Sequence, residues 1–172
     1  MKKTVSYWFL ILGFCWLLIL SSCKVNYSFS GASVSPDVKT VSIQTFRNNA
    51  TLAPPTISQS LTEAVKDIFT SQTNLGIISQ SGDLNFEGEI VNYLTSPVAI
   101  QSNDQAALNR LTITVSVKFI NAKDEKQNFE TTFSRYADYA STQSLSAVQE
   151  SLIEEINKQL VQDIFNKAMI NW

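Results

Sequence analysis

Histidine is absent from the 172 residues. With it go the commonest general base, the central member of a Ser-His-Asp triad and the commonest metal ligand. Glycine is scarce, at five residues, and none of them builds a loop able to cradle phosphate. The carboxylates are scattered or adjacent. Asp124-Glu125 sits in a turn-like run, and Glu154-Glu155 sits on a helix, where neighbouring side chains diverge and form no acid/base dyad. The sequence therefore predicts a protein that is not an enzyme and that needs no cofactor or metal. Charged residues make up only 16% of the chain, against the usual ~25%, and serine, threonine, asparagine and glutamine take their place. Such a surface suits a partner or a wet protein cavity, and suits plain solvent equally well.

Cysteine occurs twice, and both positions lie near the N-terminus. Lys2 and Lys3 are followed by VSYWFLILGFCWLLIL, residues 5–20, sixteen positions that are almost wholly apolar. That is short of the ~20 residues a membrane-spanning helix needs. A basic end, an apolar core of this length and small residues after it describe a secretory signal. Leu20-Ser21-Ser22-Cys23 resembles the lipobox of bacterial lipoprotein signals, in which small residues let the peptidase approach the backbone and the cysteine thiol carries the lipid. An ordinary signal with a chance cysteine is the alternative. Cys15 is discarded with the signal, so Cys23 is the only thiol of the mature chain, which excludes disulfides and thiolate metal sites. Each buried methylene of an acyl chain contributes ~0.8 kcal/mol, and two or three chains make dissociation negligible.

Cleavage before Cys23 leaves 150 residues, enough for one domain with a core. The signal removes two lysines and no acids, leaving 11 basic residues against 15 acidic. A net charge of that sign gives no electrostatic case for nucleic acid. The expected organisation is a signal peptide at 1–22, a lipidated tether at 23–36 and one domain at 37–172.

Hydrophobic periodicity supplies the elements. KTVSIQTF, 39–46, alternates as a strand. Pro54-Pro55 introduces a helix whose apolar face is Ile57, Leu61, Ala64, Val65, Ile68 and Phe69. LGIISQ, 75–80, is a short β-like run, expected as a lead-in to the strand LNFEGEIVNYL, 84–94. That strand places Leu84, Phe86, Gly88 and Ile90 on one face and Glu87, Glu89, Val91 and Tyr93 on the other. Residues 96–109 show neither period and predict a long loop, of the kind that is functional or disordered. RLTITVSVKF, 110–119, is the clearest strand, with Arg110 and Lys118 on its polar face. A charged turn leads to a return strand, 128–139, with Phe129 and Phe133 inward and a phase that a bulge could change after Arg135. Ser146 and Gln149 have capping-box spacing, and from there Val148, Leu152, Ile156, Leu160 and Ile164 stripe a helix to about residue 169. The order β-α-β-β-β-α predicts an α+β fold, a two-layer sandwich with both helices on one face of a four-stranded mixed sheet. The sheet's other face would be polar and open.

With these residues in place the mature chain resembles the LptE family, the lipoprotein half of the outer-membrane lipopolysaccharide transporter. The matching pieces are Cys23-x-x-x-Tyr27-Ser28-Phe29-x-Gly31, Ile43-x-x-Phe46-x-Asn48, Gly88-x-Ile90-x-x-Tyr93, Asn109-Arg110-Leu111-Thr112-Ile113 and the long C-terminal helix. The resemblance implies a two-helix, four-stranded sandwich tethered by lipid to the outer membrane on its periplasmic side. It also implies a place inside the lumen of a large β-barrel partner, LptD, which the chain helps to fold and plugs, and contact with lipopolysaccharide on its way to the surface. Arg110, Lys118 and Arg135 are the basic residues on adjacent strands that phosphates of lipopolysaccharide would meet; solubilising strand-edge charges are their alternative role. A lipoprotein of another envelope complex, or a small-lipid binder on the same scaffold, is the second functional class. The anchor itself is open to a direct test. Cells grown on labelled palmitate should place label on the protein, and Cys23→Ala should abolish it. An unlabelled protein, or a mature N-terminus other than Cys23, would remove the anchor.

Overall fold

The computed structural model describes residues 35–98 and 108–169. The expected signal peptide, Cys23, most of the tether and the centre of the 96–109 segment lie outside the described residues. The strands are β1 (Thr40–Ile43), β2 (Arg47–Asn48), β3 (Gly76–Ile78), β4 (Leu84–Val98), β5 (Leu108–Asn121) and β6 (Phe129–Ala140). The helices are α1 (Ile57–Gln72) and α2 (Leu145–Met169). The α+β class holds, with both helices on one face of a mixed sheet. The sheet has six strands rather than four, in the order β3-β1-β4-β5-β6, with the short β2 also paired to β4. β1 runs parallel to both β3 and β4, and β4, β5 and β6 form an antiparallel meander.

The run at 75–80 is a separate strand at the sheet's edge, not a lead-in to β4. β3 and β4 lie on opposite flanks of β1, and the chain passes between them through residues 79–83. Two residues make that passage sharp enough. Ser81 takes a left-handed conformation, with φ of 57°. Gly82 then lies directly against β1, where an added Cβ would come within 2.6 Å of the Ser42 amide nitrogen and 2.7 Å of the Leu84 carbonyl oxygen. No side chain fits there. Asp83 follows and fastens three segments. Its Oδ2 accepts from the Lys39 and Thr40 amides at 2.9 and 3.0 Å and from the Thr40 hydroxyl at 2.9 Å. Its Oδ1 pairs with Lys123 Nζ at 3.1 Å, and its carbonyl accepts from the Ala122 amide.

Both helices bury the faces their periodicity predicts. α1 buries Ile57, Leu61, Val65 and Phe69 together with Thr62. Pro54 and Pro55 precede the N-cap Thr56 instead of occupying the first turn, and a turn closed by the Ile57 amide on the Pro54 carbonyl starts the helix. α2 buries Leu152, Ile153, Ile156, Leu160, Val161, Ile164, Phe165, Ala168 and Met169. It begins at Leu145, so Ser146 lies inside the first turn and the capping box does not form. Ser60 touches Asn157, and Phe69 touches Phe165, so the two helices run side by side in the same direction.

The core is organised by a row of rings. Phe165 of α2 meets Phe69 of α1 at a centroid distance of 5.2 Å. Phe69 meets Phe86 of β4 at 5.0 Å, Phe86 meets Phe119 of β5 at 4.8 Å, and Phe119 meets Phe129 of β6 at 5.1 Å. These separations lie in the favourable range for tilted and offset aromatic pairs. A second ring, Phe46, is fully buried because Gly88 leaves the space that it fills. The Phe46 amide donates to Thr62 Oγ1, which ties the end of β1 to α1.

Two expectations about side-chain phase are corrected. The β4–β5 register shifts between Ile90 and Asn92, so Val91 is an extra residue and the faces exchange beyond it. Tyr93 is consequently buried, and Val91 and Leu94 are exposed. The β5–β6 register is continuous from Leu108↔Ala140 to Phe119↔Phe129, so there is no bulge at Arg135. Arg135 lies opposite the buried Ile113 and belongs to the helix face. The strands also run further than their sequence periodicity: residues 96–98 and 108–109, expected as loop, pair with each other in β4 and β5.

The four donors around Asp83 hold its carboxyl far below its ordinary value of 3.8, the Lys39 amide being the largest cause. A carboxyl whose pKa folding lowers contributes stability that is complete above the ordinary value and lost as pH falls through the folded one. Asp83→Asn should therefore melt below the wild type between about pH 6 and 8, and the gap should close progressively below about pH 4. Thermal melts across that range check this, and a gap independent of pH would contradict it.

Candidate functional site

The helices cover one face of the sheet, and the other face is open. Its residues follow from the register. At the end beside residues 99–107, the rows across β4, β5 and β6 are Leu94, Thr112, Tyr136, then Ser96, Arg110, Asp138, then Val98, Leu108, Ala140. At the far end the row is Glu87, Lys118, Glu130, with Glu89 on the next row. The middle carries threonine and serine, and Thr114 and Ser134 share a hydrogen bond at 3.0 Å. The open face is thus graded from an apolar and aromatic end to an acidic one. Leu94 is 49% exposed and Tyr136 50%, which places two large apolar bodies in contact with solvent around one arginine.

That arginine is Arg110. Its Nε and one terminal nitrogen donate to the two Asp138 carboxylate oxygens at 2.7 and 2.9 Å, a bidentate pair. The guanidinium carbon lies 3.6 Å from the centroid of the Tyr136 ring, so the cation also rests on the ring's negative face. The hydrogen bond with Asp138 raises the Arg110 pKa and lowers that of Asp138. Arg110 is therefore charged at any physiological pH and held in one orientation. Its remaining donors point from an exposed surface.

The three basic residues singled out from the sequence are not gathered into one cluster. Arg110 and Lys118 share the open face, but eight residues of β5 put them ~26 Å apart. Lys118 stands between Glu87 and Glu130 on the neighbouring strands. Arg135 is on the opposite face, where it donates to both Asp163 oxygens of α2 at 2.5 and 2.7 Å, and that hydrogen bonding raises its pKa. It joins β6 to the helix layer. The residues that complete the Arg110 site, Tyr136 and Asp138, were missed because the return strand's phase was open after Arg135. Once Phe119 is set opposite Phe129, counting back along the hairpin finds both.

Among the described residues no three His, Cys, Asp or Glu side chains are grouped to hold a metal ion, and no helix is long and apolar enough to cross a membrane. Burial pushes the Tyr93 phenol up in pKa, partly offset by the neighbouring Gln149 side chain, yet its hydroxyl closes no hydrogen bond of ordinary geometry. It belongs to the covered face and lies outside the site.

Comparison with known proteins reaches the same architecture from another direction. The chain resembles CT253, a hypothetical protein from Chlamydia trachomatis, with a TM-score of 0.53 at 9% identity, over 78% of this chain and 99% of that one. It also aligns with a minor lipoprotein from Acinetobacter baumannii (TM-score 0.49, 14% identity, 76% and 91% covered) and with XCC0632 from Xanthomonas campestris (0.47, 12%, 81% and 90%). At 9% identity the likeness to CT253 concerns the fold alone. No curated protein matches the chain in sequence. A family model does match, LptE, described as lipopolysaccharide-assembly, over residues 38–168. That span runs from two residues before β1 to the last turn of α2, so the chain belongs to the LptE family of lipopolysaccharide-assembly proteins.

Proposed function

We propose that this protein is an outer-membrane lipoprotein that assists assembly of the lipopolysaccharide-transport β-barrel, LptD, plugs its lumen and helps deliver lipopolysaccharide to the outer leaflet. The observation that carries this is the family match across the whole sandwich, 38–168. Three features support it. Leu20-Ser21-Ser22-Cys23 supplies a lipidation site, and acyl chains on Cys23 hold the domain at the periplasmic side of the membrane. The open sheet face, with its threonines and serines and with Arg110 at its apolar end, tolerates a wet barrel interior. The exposed Leu94 and Tyr136 give that face an apolar end for the barrel wall.

Contact with lipopolysaccharide is assigned to the open face. Arg110 is its best placed cation, because the Tyr136 ring and Asp138 carboxylate orient the guanidinium without burying it. Lys118 is a second, distant contact. Arg135 is committed to Asp163 and serves the ligand only if that pair opens.

Two measurements test this reading. A tagged chain purified from detergent-solubilised outer membranes should bring down a large β-barrel in stoichiometric amount; its absence would overturn the assignment. Arg110→Ala should weaken binding of purified lipopolysaccharide about fivefold, the scale of one exposed ionic contact, and replacing Lys118 and Arg135 as well should weaken it further. Unchanged binding in the triple variant would retire these residues as contacts.

A further inference from the structure

A groove of about 1020 Å³ runs between α1 and α2, and no strand residue lines it. We infer that it is a docking site for a basic amphipathic helix of a protein partner. Beside the exposed Ser60, its floor is apolar: Ala64 from α1, Ile153 and Val161 from α2. Asn157 is the exception. It is 4% exposed, its Nδ2 donates to Ser60 Oγ at 3.2 Å, and its Oδ1 is buried with no hydrogen-bond partner. A buried acceptor left unpaired costs about 1–3 kcal/mol, so a donor at this point has a specific reward.

Shape and charge identify the occupant. Along α2 the groove extends from Ser146 to Gln162, which at 1.5 Å per residue is ~24 Å. That is a trough for about four turns of helix rather than a pocket for a compact molecule. Two helices side by side leave a ridge-lined channel into which a third packs. The rim is acidic. Asp67 and Glu150 line it and have no ion pair among the described residues, while Lys158 is already held by Glu154 at 2.8 Å. An occupant with lysine or arginine flanking an apolar stripe complements this rim. Backbone amides within a helix are already bonded, so the donor for Asn157 must be a side chain, such as serine or threonine, in the middle of the stripe.

The groove is on the other side of the sheet from the face assigned to the barrel, so the two assignments fail separately. The test uses the purified mature chain and three synthetic 18-residue helices. One has a leucine stripe with a central serine and flanking lysines, the second has glutamates for the lysines, and the third has alanine for the serine. The lysine–serine peptide should bind and the glutamate peptide should not. Asp67→Lys with Glu150→Lys, both on the surface, should lower affinity about tenfold with an unchanged circular-dichroism spectrum. Asn157→Leu should weaken the serine peptide relative to the alanine peptide. Equal binding of lysine and glutamate peptides, no binding of either, or indifference to the charge reversal would overturn the inference. So would a dimer of this chain, seen by light scattering, that the same reversal dissociates.

Discussion

The packing of Phe69 between Phe86 and Phe165 is the contact on which the two layers depend. α1 touches the parallel side of the sheet and α2 touches β6, so the helices meet different strands. The ring row gives them a common boundary, because Phe69 reaches both the second helix and the central strand. From Phe86 the row continues through Phe119 to Phe129, crossing the meander from β4 to β6. Burying one such ring contributes about 1.5–3 kcal/mol, and several in contact are of the same order as the net stability of a whole domain. The row also sets register. Phe86 opposite Phe119 and Phe119 opposite Phe129 fix both hairpins, and a slip of one residue would turn those rings to the open face.

Much of this was legible in the sequence, and the exceptions have physical causes. Period-two alternation in β5 and the 3.6-residue stripes of both helices survive because burial alone dictates them. Tyr93 was misplaced because Val91 is an ordinary β-former and carries no mark of a bulge. The strand ends at 96–98 and 108–109 read as loop because neither period shows there, and Pro97 is an unusual residue for a central strand. Past Ile90, however, β4 has lost β2 and pairs only with β5, so Pro97 sits where one side of the strand needs no ladder hydrogen bond. β3 was read as part of β4 because nothing in LGIISQ tells which flank of β1 it takes. The deciding residue is Gly82, whose missing side chain allows the passage.

The resemblance motifs acquire reasons at the same time. Phe46 and Gly88, 42 positions apart, are two halves of one contact, a ring and the space it fills. Asn48 accepts from the Ala50 amide at 3.1 Å and turns the chain toward α1. Ile90 and Tyr93 are both buried although they are three positions apart, which an unbroken strand would forbid and the bulge permits. These positions carry the fold. Among the described residues, the quoted piece that opens β5 contributes Arg110 and Thr112 to the open face.

The candidate site then turns on how one face is divided. The chain carries more acids than bases and does not attract phosphate as a whole, and in the far row of the open face Glu87 and Glu130 flank Lys118, with Glu89 paired to Arg47 beside it. Arg110 is separated from that row by most of the length of β5, farther than the ~8 Å over which exposed charges interact at physiological ionic strength. Its nearest charge is Asp138. An exposed bidentate pair of this kind contributes little to stability, and the Tyr136 ring holds the guanidinium as well. On the proposed function, an arginine held this way would meet a phosphate already ordered, with Leu94, Val98 and Leu108 beside it as apolar surface. The open face thus keeps Arg110 and its exposed apolar side chains at one end, whereas Arg135, two positions nearer the chain's end than Phe133 and on the same covered face, holds the layers together.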